Sequence, residues 1–224
     1  NESIAVFKLY QEAYANDFNE AMRLKKDKEN SYEAMERYFK AQEKAERKLS
    51  QASERFEKAQ RQFAEKHGMV LQEDDAASGL LTRIAAVNRY SRRVFLAYFR
   101  VAKADAAFMQ GVEERKTGQL DKQRQQLENA TEQVLSELDT VQPFRGNTAF
   151  RDATKKLVQF YHDLAVKDYP TLGAVMRKKP DEMTATDAEN YNDIVQRYNA
   201  TNVELVTAFN RENVALLQQH IPSQ

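Results

Sequence analysis

The 224-residue chain contains no cysteine, which excludes disulfides, thiolate catalysis and cysteine-ligated zinc. That leaves the compartment open, since large envelope proteins are often cysteine-free too. Six Gly and four Pro are too few for a sheet-rich protein with many tight turns. No apolar run reaches the roughly 20 residues that a membrane span needs. Neither sign of charge is in excess: 34 Lys+Arg stand against 34 Asp+Glu, for a formal net charge of zero. Nucleic acid is therefore not expected as a partner, because phosphate binding needs a positive field. The basic clusters Arg92-Arg93 and Arg177-Lys178-Lys179 read as solvated faces and helix C-termini. No charged-then-apolar leader precedes Asn1, and a start at Asn-Glu-Ser without Met reads as processed or trimmed.

With 30% charged and 42% hydrophobic residues, the composition is that of a globular chain with a solvated surface. Its organising stretch runs from Asn1 to His67, which holds no Gly and no Pro. One heptad frame covers it. The a positions are Phe7, Tyr14, Ala21, Lys28, Met35, Gln42, Leu49, Phe56 and Phe63. The d positions are Tyr10, Asp17, Leu24, Ser31, Tyr38, Ala45, Ala52 and Ala59. Such spacing marks helix that lays a narrow seam against other helices, in the manner of a coiled coil. The wholly polar run Asp27-Lys28-Glu29-Asn30-Ser31 weakens the seam and predicts a turn between two antiparallel helices rather than one long one.

The first predicted helix runs from about Ser3 to Asp27, presenting Phe7, Tyr10, Tyr14, Phe18 and Met22. The second runs from a Ser31 N-cap to His67, with Gly68 as its stop. After a connector ending in Glu73-Asp74-Asp75, a third starts near Asp75 or Ser78 and continues to about Lys116. Its seam is Ile84, Val87, Ser91, Val94, Tyr98, Val101, Phe108 and Val112, interrupted by the charge of Asp105. A fourth spans about Gln119 to Asp139, with Leu120, Leu127, Val134 and Leu138 on one face. The loop Gln142 to Asn147 leads into a fifth that Pro170 should kink. A sixth follows a Thr184/Asp187 capping box and extends to His220, burying Tyr191, Ile194, Tyr198, Leu205, Phe209 and Leu216. The expected fold is an all-α, elongated bundle of about six helices.

Sliding the chain against itself by 151 to 153 residues sets Tyr10 on Tyr161, Asp17 on Asp168 and Phe18 on Tyr169. After a two-residue shift in the loop, Ser31 falls on Thr184, Tyr38 on Tyr191, Phe56 on Phe209, Phe63 on Leu216 and His67 on His220. On this reading residues 1–68 are the second half of a repeat, 69–75 a connector and 76–224 a four-helix unit. The half-unit lacks two helical partners, so its seam is expected to be covered by the third helix, by upstream residues or by a second copy. A protein partner or self-association through the seam of the first two helices is the interaction this implies.

Catalytic signatures are absent. Glu-x-x-His, His-Glu-x-x-His, phosphate-cradling glycine loops and Gly-x-Ser-x-Gly do not occur, so no cofactor, metal or catalytic residue is assigned. His67 and His220 read as helix C-terminal residues, and His162 as exposed. Asp17, Asp105 and Asp168 stand out as candidate buried carboxylates, expected to take an inter-helix hydrogen bond to a Tyr or to lie exposed at a seam edge, with a functional acid as the alternative. Mixed charge along the second helix argues against a membrane-moulding basic face.

Phe63-Ala64-Glu65-Lys66-His67-Gly68-Met69, Phe144-Arg145-Gly146-Asn147 leading to Leu157, Phe160-Tyr161 and Asp168-Tyr169, and the Asn-rich last helix ending His220-Ile221-Pro222 carry a family resemblance. On these the chain resembles a family of all-helical surface proteins of leptospires and Bacteroidetes-type bacteria. That resemblance implies an extracytoplasmic protein of the cell envelope, with a lipid anchor upstream of residue 1 and no functional residues to carry over. The expected function is a non-enzymatic structural or interaction module of the bacterial cell envelope. The alternative is a ligand-binding helical module with a pocket near Pro170 lined by Tyr161, Tyr169, Tyr191 and Tyr198.

Overall fold

Apolar residues recurring at helical spacing, with few breakers, wind almost the whole chain into helix. The computed structural model describes residues 2–71 and 79–221, and no strand occurs among them. The first rod consists of α1 (Glu2–Glu12), a π turn (Ala13–Phe18) and α2 (Asn19–Leu24). A turn over Lys25–Asn30 follows, where the polar run predicted one. Ser31 then caps α3 (Tyr32–His67), its hydroxyl accepting from the Ala34 N–H at 3.1 Å. Gly68 ends α3 at φ 63°, and the Met69 N–H returns to the Ala64 carbonyl at 2.8 Å. Glycine adopts that left-handed cap without a Cβ clash.

Helix α4 (Leu80–Glu113) stops before the expected Lys116. Arg115, at φ 54°, takes the left-handed cap position that glycine usually fills, and Gly118 lies in a short 3-10 turn (Thr117–Gln119) beyond it. The predicted start of this helix, at Asp75 or Ser78, falls outside the described residues. Helix α5 (Leu120–Thr140) leads to the Pro143–Gly146 loop, which closes through paired bonds between Phe144 and Asn147. Asn147 Oδ1 then accepts from the Ala149 N–H at 2.9 Å, which suits a residue at the start of a helix.

The second rod has the same plan as the first: α6 (Ala149–Asp163), a π turn (Leu164–Asp168) and α7 (Tyr169–Arg177). Pro170 sits in the opening turn of α7, directly after the π turn, where the expected break takes the form of a local widening of the helix over Leu164–Asp168. A 3-10 turn (Pro180–Glu182) precedes α8 (Ala185–His220). The Asp187 N–H donates to Thr184 Oγ1 at 3.2 Å and the Thr184 N–H to Asp187 Oδ2 at 2.9 Å, which realises the capping box with Asp in the place of Glu. Helices α3 and α8 both hold 36 residues.

The chain divides into two compact units, residues 1–92 with 217–224, and residues 93–216. The division falls inside α4, so residues 80–92 go with the first unit, while most of the expected connector lies outside the described residues. Glu46 of α3 ties that part of α4 down. Its carboxylate takes both guanidinium nitrogens of Arg92, at 2.7 and 2.5 Å, and the Asn88 amide at 2.9 Å.

Within the first unit, α1, the π turn and α2 lie along α3. The line facing inward is Val6, Ala13, Asp17 and Ala21, set against an alanine-rich α3 with Ala41, Ala45 and Ala52 buried. Small side chains on both helices let the backbones approach closely. This corrects the expected seam, because Phe7 and Tyr14 are 74% and 60% exposed while the residues just before them are buried.

Within the second unit, α5 covers α6, the second π turn and α7. Leu120, Leu127, Val134 and Leu138 of α5 are fully buried, as are Leu157 and Val158 of α6. Each such leucine contributes about 2 kcal/mol. Phe209 of α8 centres an aromatic cluster, with ring centroids at 4.6 Å from Tyr98 and 5.1 Å from Phe150.

Candidate functional site

Asp17 occupies the first π turn and is 1% exposed. Its two carboxylate oxygens meet Lys44 Nζ at 2.8 Å and Lys48 Nζ at 2.7 Å. The lysines stand four apart on α3 and so share one face. Burial alone would push this carboxyl up, but the hydrogen bonds and charges of Lys44 and Lys48 outweigh it and hold Asp17 below its ordinary value. Asp168, in the second π turn, bonds to Arg197 of α8 at 2.8 Å. Its side chain keeps 19% of its surface in water, so of the three carboxylates expected to be buried, Asp168 is the one that is not. The cause is local: Val166 and Lys167 beside it are exposed, and its partner Arg197 is exposed as well.

Asp105 is buried on α4, and the groups bonded to its carboxylate are phenols rather than cations. Tyr169 Oη donates to one oxygen at 2.5 Å and Tyr198 Oη to the other at 2.9 Å. Burial pushes the Asp105 carboxyl up, and the two phenol donors offset only part of that. The phenols of Tyr161, Tyr169 and Tyr198 are raised in turn, chiefly by burial. Tyr161 donates to Asn202 Oδ1 at 2.7 Å, and Tyr169 stacks on Phe108 with centroids 4.1 Å apart. Three of the four tyrosines expected to line a pocket therefore fill the core around Asp105.

Tyr191, the fourth of that set, borders a cleft of about 590 Å³ beyond the end of α7. Val112, Val175, Met176 and Met183 supply apolar walls, with Glu113, Arg115 and Lys178 among the lining residues. Lys178 is engaged, both oxygens of Asp187 lying within 2.8 Å of its ammonium. That ion pair comes first among the causes that lower the Asp187 carboxyl to about 2, followed by the bonds from Thr184.

His67 is exposed with its ring centroid 4.3 Å from Phe63, and His220 ends α8, both at helix C-termini as expected. His162, expected on the exposed side, is half-buried, with Nδ1 at 3.0 Å from Thr131 Oγ1 of α5. Among the described residues, no three of His, Asp and Glu are grouped to hold a metal ion.

An apolar stripe runs along the first rod. Phe7, Tyr14 and Met22 are exposed, and half-buried Phe18 stacks on Tyr14 with centroids 5.5 Å apart. Each of these residues follows by one position a member of the inward line Val6, Ala13, Asp17 and Ala21. At the offset of 151, the same two lines in the second rod are Leu157, Leu164, Asp168, Leu172 and Val158, Ala165, Tyr169, Gly173. The second of these lines is wholly buried. An uncovered seam is legible in the sequence; its cause is not, nor are the lysines that bind Asp17.

No protein-family model, curated protein or solved structure matches the chain.

Proposed function

We propose that the chain is a non-enzymatic interaction module of the bacterial cell envelope, built by duplication of a rod-and-long-helix hairpin, and that it works through the exposed stripe of its first rod. The observation that carries this reading is the difference between equivalent faces: Val158, Ala165, Tyr169 and Gly173 lie buried, whereas Phe7, Tyr14 and Met22 stand in water. Apolar area of that kind favours burial at about 25 cal/mol per Å². Duplication is supported by features that amphipathic spacing does not require. Both rods carry a π turn at the same place, and both long helices have 36 residues, an N-capping hydroxyl and a final histidine. At an offset of 153, Lys44 corresponds to Arg197, so the ion pairs Asp17–Lys44 and Asp168–Arg197 join equivalent positions. The envelope location is drawn from the family resemblance of the junction, loop and last-helix segments.

A photoreactive residue at Tyr14, activated in the producing cells, tests the reading. It should give a protein adduct that the same residue at Asn199, an exposed position of α8, does not. Failure to form any adduct at Tyr14 would contradict it. A second reading, ligand binding, draws on the cleft at Tyr191, whose apolar walls, with Glu113 and Arg115 both among the lining residues, suit a small amphipathic molecule. It involves a different set of residues from those of the stripe.

A further inference from the structure

We infer that the occupant of the stripe is a second copy of this chain, the two first rods lying antiparallel across a two-fold axis. The inference rests on reading the stripe as an interaction face and adds the identity and register of the partner. The second unit shows what kind of surface fits. There an amphipathic helix, α5, lies along the rod, and the line Val158, Ala165, Tyr169 and Gly173 is buried, with Tyr169 packed on Phe108 and Asp105 of α4. The first rod is itself a single amphipathic helix with its apolar line outward, so two copies satisfy each other's need.

Charge sets the direction. Lys8 and Glu20 are exposed toward opposite ends of the rod. A parallel pair would bring Lys8 beside Lys8 and Glu20 beside Glu20. An antiparallel pair centred near Ala13 sets Lys8 of one copy level with Phe18 of the other, about 3 Å along the axis from Glu20, so that opposite charges fall near each other. That register sets Ile4 level with Met22, and Phe7 and Gln11 within one residue of Phe18 and Tyr14, so apolar residues lie near apolar residues over most of the contact. Aromatic side chains dominate it, as they do the energetic centres of protein interfaces. The presence of Lys8, Glu12, Glu20 and Arg23 around the stripe, with both signs intermixed, disfavours a lipid surface as the occupant.

A rod spanning Glu2–Leu24 is about 35 Å long at 1.5 Å per residue. One helix pair of that length stands at the lower end of stable interfaces, which bury about 800 Å² per partner. The dimer should therefore dissociate on dilution.

Light scattering on the full chain tests this. The mass should rise with concentration from 25.9 kDa toward twice that value. Replacing Phe7 and Tyr14 together by Ser should raise the dissociation constant at least about 30-fold. Because both side chains are exposed, the helical circular dichroism should stay unchanged. Lys8→Glu and Glu20→Lys should each raise the constant about fivefold, and the double reversal should return it to the wild-type value. A mass of one chain at every concentration overturns the inference, as does a dimer indifferent to Phe7 and Tyr14. Single reversals that weaken the dimer without mutual rescue overturn the antiparallel register. A monomer in solution together with an adduct to a different protein at Tyr14 in cells would remove the second copy and leave the interaction reading standing.

Discussion

Two buried aspartates illustrate opposite solutions to one problem. A carboxylate taken from water must be paired, hydrogen-bonded or neutral. Asp17 is paired, with two lysines on one helix face, and its carboxyl is held low. Asp105 has two phenol donors in place of cations, and its carboxyl is pushed up. The linkage signs follow. Stability from Asp17 is present above its unfolded value, about 3.9, and is lost as pH falls through the lowered folded value. Stability associated with Asp105 is complete below that unfolded value and is lost as pH rises through the raised folded one. Thermal melts of wild type and Asp105→Asn from pH 3 to 8 check this. The variant has no proton to lose, so its decline between pH 4 and 8 should be shallower than that of wild type, by a few degrees across the range. Parallel curves would mean that Asp105 has no raised value in the fold.

The π turns are the elements that distinguish this chain from a plain helical bundle. A π turn accommodates one extra residue in a helix while the flanking turns keep their faces. It leaves a backbone carbonyl without its usual partner, and Asn19 Nδ2 meets that of Ala15 at 2.8 Å. The position equivalent to Asn19 in the second rod is Pro170, which lacks an N–H altogether. Asn19→Pro gives up the Asn19 N–H bond to the Asn16 carbonyl and the side-chain bond to Ala15, so it should cost about 2 kcal/mol, where proline inside an ordinary helix, as at Gln42, costs about 3 or more. Urea unfolding of the two variants compares them. Much at this scale is legible in the residues: the Asp27–Ser31 break, the Ser31 and Thr184 caps and the Gly68 stop each have a local chemical signal. The π turns have none, because a single inserted residue hides within aromatic spacing. The inward line escapes the heptad pattern for a related reason. Aromatics at heptad positions imply burial, yet the buried contact with α3 is made by Ala13 and Ala21, whose small side chains allow close approach. The lysines that hold Asp17 lie on another helix, beyond the reach of local pattern, whereas Asp105 has the expected hydrogen bond to a tyrosine across helices.

On the scale of the whole molecule, one asymmetry between equivalent places matters most. The outer line of the second rod is buried, while on the outer line of the first rod Phe7, Tyr14 and Met22 are exposed and Phe18 is half-buried. On the proposed duplication Asp17 matches Asp168, and a cover for the first rod is expected from it. Which residues need covering becomes apparent only once the two lines are separated by one position. Because the chain has no cysteine, a single Gln11→Cys variant reports on that line without background, and Gln196→Cys on α8 serves as its control; both positions are exposed. The decisive measurement is the rate of maleimide labelling as a function of protein concentration. Self-association through the stripe requires the thiol introduced at position 11 to react quickly in dilute solution and to become protected as concentration rises. The thiol introduced at position 196 should react at one rate throughout. Equal reactivity at position 11 at every concentration would contradict the dimer.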